Sequence, residues 1–81
     1  MCERFQELIE KDLIPYITAA RDEFAREDDD ERVEEMEDLI RTFVEIIDDI
    51  QNDIMDEWEC GELYESFKRS RESGEFLDKI S

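Results

Sequence analysis

Between residues 33 and 58 the apolar side chains fall at Val33, Met36, Ile40, Phe43, Ile47, Ile50, Ile54 and Trp58, in steps of 3, 4, 3, 4, 3, 4 and 4. Only a helix, at 3.6 residues per turn, brings such a series onto one seam. Leu39 and Ile46 widen the seam to the breadth of a helix in a globular bundle rather than a strict two-stranded coil. The opposite face carries Glu34, Glu35, Asp38, Glu45, Asp48, Asp49, Asp56 and Glu59, against a single Arg41. The pattern predicts a long acidic central helix ending at about residues 57–59, with Gly61 as its break or C-cap.

A second amphipathic stretch precedes it. Over residues 3–26 the stripe reads Phe5, Leu8, Ile9, Leu13, Tyr16, Ile17, Ala20 and Phe24, with Pro15 in its middle. Proline removes one helical hydrogen bond and presses on the preceding turn. Because the stripe keeps its phase, the expectation is one helix kinked near residues 11–14. Five consecutive acids, Glu27 to Glu31, then form a turn, with Asp30 as the expected N-cap of the central helix.

Beyond Gly61, residues 62–73 place Leu63, Tyr64 and Phe67 on one face and gather Lys68, Arg69 and Arg71, with Gly74 at the helix end. Phe76, Leu77 and Ile80 read as a short closing helix or an anchored tail. The expected fold is all-α: a single domain, residues 1–81, with the kinked N-terminal helix antiparallel to the long acidic helix and one or two short C-terminal helices. A chain this short hides only about 60% of the surface its unfolded form exposes, so its core is small.

The formal charge of −17 is unevenly placed. Residues 1–27 carry a net −3, residues 28–62 a net −14 and residues 63–81 a net of zero. Such a field repels nucleic acid and anionic lipid and draws basic surfaces from a distance. Cys2 and Cys60 have no CxxC spacing, and Cys2 sits at a terminus prone to fray, so no bridge between them is expected. The longest uncharged run, residues 13–20, is far short of the roughly 20 residues that span a bilayer. These features point to a reducing, cytoplasmic setting (the host cytoplasm if the protein is viral) and to no membrane contact.

The chain has no histidine, which removes Ser–His–Asp triads, Cys–His pairs and HExxH zinc sites, and it has no glycine-rich phosphate loop. Carboxylate-bound Mg²⁺ is the enzymatic route left. Glu34-x-x-Glu37 and Glu45-x-x-Asp48 resemble the ExxE and ExxD pairs of the all-helical MazG-like nucleotide pyrophosphatases. Those pairs must face each other from neighbouring helices, whereas here they lie on one helix roughly 16 Å apart along its axis. Asp28-Asp29-Asp30 opens like an EF-hand loop, but Val33 stands where that loop needs glycine. No catalytic residue, metal or cofactor is expected.

Binding is the remaining class. In composition the chain is similar to small phage proteins that inhibit CRISPR complexes, restriction enzymes or glycosylases, which implies an acidic mimic of nucleic acid acting on the basic surface of a nucleic-acid-binding protein or complex. The expected contact residues are Glu34, Glu35, Asp38, Glu45, Asp48, Asp49, Asp56 and Glu59, with Trp58 beside them. Over roughly 38 Å they would place one carboxylate per ~5 Å, against one phosphate per ~3.4 Å of a DNA strand. The alternative is a helical interaction module, an antitoxin-like regulator or a subunit, working through its apolar seam and aromatic residues in a hetero-complex or a homodimer. A monomeric mimic should bury Ile47, Ile50 and Ile54 within its own bundle. Trp58 and Tyr64 flank Cys60 and Gly61 and are expected either to close the end of the bundle with their polar tips near water or to anchor a basic partner as a hot spot; the interaction module depends on Trp58. Salt adaptation, a third reading, fits poorly with the neutral stretch of residues 63–81.

Overall fold

The computed structural model describes residues 2–77 and is all-helical over them, apart from its turns. The first rod is continuous: α1 (Cys2–Leu8), a π-helical segment (Ile9–Leu13) and α2 (Ile14–Arg26). After a tight turn come α3 (Asp30–Gln51), a loop, and α4 (Glu57–Ser73). The turn folds α2 and α3 into an antiparallel hairpin, and α4 packs on α1.

The kink expected near Pro15 takes the form of the π segment, which hands over to α2 one residue before the proline. Ile14 N–H donates to the Ile9 carbonyl, five residues back. That wider turn relieves the contact between the proline ring and the carbonyl four residues earlier. It also winds more slowly than an α-helix, so residues four apart stay on one face. Phe5, Ile9, Leu13 and Ile17 are accordingly all fully buried.

They meet Ala20, Met36, Phe43 and Cys60 in the core, and among the described residues no polar or charged one is buried. Where α4 crosses the hairpin, aromatic rings fill the space. Phe67 lies 5.5 Å from Phe5 and 5.7 Å from Phe43 by ring centroid, and Phe76 reaches Phe43 at 5.7 Å and Phe67 at 5.9 Å. Most of these pairs are edge-on, the arrangement the ring quadrupoles favour. Phe76 and Leu77 thus form the expected anchored tail, which Arg32 Nη1 holds by donating to the Leu77 carbonyl at 2.7 Å. Ile80 lies outside the described residues.

Three sequence expectations need correction. The central helix ends at Gln51, not near residue 58, and Gly61 lies inside α4. The stop is written in aspartate: Asp53 adopts φ +60°, its N–H donates to the Ile50 carbonyl, and Ile54 N–H donates to that of Asp49. This is a Schellman closure with aspartate in the left-handed position usually held by glycine. Asp28 (φ +59°) closes α2 in the same way, with Asp28 N–H to Ala25 and Asp29 N–H to Phe24. At the end of α4 the expected glycine does the job: Gly74 has φ +78°, and Glu75 N–H donates to the Ser70 carbonyl.

The N-cap of α3 is Asp29, one residue before the expected Asp30, and its side chain accepts from Arg32 N–H. Asp30 instead opens the first turn, where its charge faces the positive end of the helix dipole. Finally, Cys2 and Cys60 form a disulfide that joins the start of α1 to the first turn of α4. The expected absence of a bridge rests on the assumption of a frayed N-terminus. In the fold α1 is packed from Cys2 onward, beside buried Phe5, and the cysteine-based case for a reducing compartment falls with that assumption.

Candidate functional site

The acidic residues expected to form one continuous face lie on two helices. Glu34, Asp38, Glu45, Asp48 and Asp49 sit on α3 within an arc of about 100° around its axis. Of these only Asp49 is half-buried. Glu35 leans out of the arc, half-buried, with one carboxylate oxygen 3.8 Å from Arg32 Nε. From Glu34 to Asp49 the stripe covers about 23 Å, not 38 Å.

The break at residues 52–56 removes the other expected members from this line. Asp56 is the N-cap of α4 and accepts from Glu59 N–H at 2.8 Å, so it organises backbone rather than extending the stripe. Trp58 and Glu59 stand in the first turn of α4, both exposed.

Arg41, the base on the stripe, donates to Asp38 Oδ1 at 3.0 Å. Its charge is answered within the helix, and Glu34, Glu45 and Asp48 face solvent. Glu37, exposed at the edge of the stripe, was not among the expected contact residues. Its place follows from the α3 phase, and only its closeness to the apolar seam hid it.

The basic cluster separates in the fold. Arg71 turns inward, its guanidinium 3.7 Å from the centre of the Tyr16 ring and donating to Asp12 Oδ1 at 3.0 Å. This pairing is internal, with the N-terminal rod. Lys68 lies over Tyr64 at 5.8 Å, and Arg69 points to the outer side.

Trp58 and Tyr64 do not together plug the bundle. Tyr64 is half-buried against the core, whereas Trp58 is 72% exposed. With Glu57, Gly61, Glu62, Glu65, Ser66 and Arg69 it lines an open groove of about 580 Å³ along α4. Ile54, in the loop before it, is 67% exposed, although Ile47 and Ile50 are partly covered. The carboxylate pairs Glu34/Glu37 and Glu45/Asp48 remain on one helix, and among the described residues no three His, Cys, Asp or Glu side chains converge on a common metal position.

What the two faces offer chemically is long-range attraction for cations and, at Trp58, a flat ring on which a cation can stack. No helix among the described residues is long and apolar enough to cross a membrane. No protein-family model matches the chain, and comparison with curated proteins and with solved structures found no match.

Proposed function

We propose that the protein is a small acidic binding protein that occupies a basic nucleic-acid-binding surface and so keeps DNA or RNA out, in the manner of a phage anti-CRISPR or anti-restriction inhibitor. The observation that carries the reading is the α3 stripe: a rigid helix whose carboxylates face solvent along about 23 Å, with its interposed base already paired to Asp38. That length corresponds to about seven phosphates of one DNA strand. The blocking role requires no chemistry on a substrate, and in this reading the protein is not an enzyme and needs no cofactor. Its place is the cytoplasm that holds the partner.

A second reading is favoured by one observation. Trp58 and Ile54 are exposed where a self-sufficient mimic would bury apolar surface, which suits an interaction module anchored through its aromatic residue.

The test is capture of a partner from host lysate at low salt, followed by competition with duplex DNA or RNA for the captured complex. The quadruple variant Asp38→Lys, Glu45→Lys, Asp48→Lys, Asp49→Lys should lose the partner while keeping its helical circular dichroism. Salt should weaken wild-type binding steeply, because screening acts on exposed charges. Retention of the partner by the quadruple variant would sink the mimicry reading. Loss through Trp58→Ala with charge reversal tolerated would establish the module instead.

A further inference from the structure

The outer face of α4 carries a tryptophan that the fold does not use. The core side of this helix is Cys60, Leu63 and Phe67. Trp58, Glu62, Glu65 and Arg69 recur at steps of 4, 3 and 4 and fall on the opposite side. Gly61, without a side chain, lines the groove between Trp58 and Glu65. Glu57, Glu62 and Glu65 make no ion pair or side-chain hydrogen bond with the described residues.

We infer that this groove is a docking site for an arginine side chain presented by a basic segment of a partner protein, with the guanidinium stacked on the Trp58 indole and paired to Glu62 or Glu65. Charge complementarity selects the occupant. Three carboxylates against one guanidinium line the groove, in a chain of net charge −17. A second copy of this chain would bring another −17 to the same face, so self-association through it is opposed. Arginine fits better than lysine, because a planar guanidinium stacks on an aromatic face and pairs a carboxylate side-on at the same time. Arg69, at the far end, repels a uniformly basic strand and sets the orientation of the segment. The groove is also pre-organised: the Cys2–Cys60 bridge and the Asp56 cap fix the turn that bears Trp58.

This inference rests on the proposed function only in assuming a basic partner, and its test separates the two. Trp58 is the chain's one tryptophan, so its fluorescence reports the groove alone. The probe is a synthetic alanine-rich helical peptide bearing arginines on one face, compared with its lysine counterpart and with its citrulline counterpart, which keeps the shape and loses the charge. Saturation with the arginine peptide should change the Trp58 emission, and the citrulline peptide should leave it unchanged. By anisotropy of labelled peptide, Trp58→Ala and the pair Glu62→Lys, Glu65→Lys should each weaken binding about tenfold or more, the scale of a hot spot. The quadruple α3 variant should still show the Trp58 emission change, with affinity lowered only through the long-range field. Equal binding of wild type and Trp58→Ala, or an unchanged emission at saturation, overturns the docking site without touching the α3 reading. Loss of the emission change in the quadruple variant alone would also overturn it, by assigning the contact to α3.

Discussion

The Cys2–Cys60 bridge makes the largest single demand on the fold, and breaking it is the most informative perturbation. The linked residues are 58 apart in an 81-residue chain, so the bridge closes most of the molecule into one loop. In the chain-entropy account, closing a loop of this length lowers the entropy of the unfolded state enough to stabilise the fold by about 4 kcal/mol at 25 °C. That is comparable to the whole stability of a small domain, for which totals of about 5–15 kcal/mol are usual. The structure also says where the loss will appear. Helix α4 is held chiefly by α1, and Cys60 is its only fully buried residue, so the bridge fastens a 17-residue helix that has little other anchorage in the core. Urea unfolding of the oxidised protein, the reduced protein and the double variant Cys2→Ser, Cys60→Ser should therefore be followed by far-UV circular dichroism. Trp58 fluorescence is a poor unfolding probe, because the indole is 72% exposed in the native state. With an m-value of about 1–1.5 kcal/mol/M, the reduced midpoint should fall by about 3 M. Hydrogen exchange should show the α4 amides losing protection first. Coincident oxidised and reduced transitions would refute the reasoning, as would two freely alkylated thiols in the native air-oxidised protein.

Phe43→Ala removes a fully buried ring that contacts Phe67 and Phe76, and should cost about 3–5 kcal/mol, read as a lowered urea midpoint. Asp29→Ala and Asp56→Ala should each cost about 1 kcal/mol by removing a cap, whereas Asp30→Ala should change the midpoint far less. Gly74→Ala meets no neighbouring atom, so its cost is conformational, about 1 kcal/mol from the positive φ. Gly61→Ala should do the opposite and stabilise by about 1 kcal/mol, because Gly61 is a helix-interior residue lining an open groove; destabilisation there would mean the helix breaks at Gly61 after all.

Periodicity by itself determined the elements and their inward faces. The stripe of the N-terminal rod enters the core as read, and so does that of α3 from Met36 to Ile50, because a residue's place on a helix depends only on its own turn angle. Charge placement was equally legible, since carboxylates without partners stay in water wherever the helix goes. The end of α3 was not legible. The apolar spacing continues through Ile54 to Trp58, and the stop depends on Asp53 entering the left-handed region, a choice its local sequence permits but does not compel. That misplaced boundary carried Asp56, Trp58 and Glu59 onto the wrong axis and concealed the series from Trp58 to Arg69. The disulfide, the inward turn of Arg71 onto Tyr16 and Asp12, and the exposure of Trp58 were likewise decided only in three dimensions. Each depends on which helix lies beside α1, a relation between segments more than 50 residues apart that no local pattern encodes.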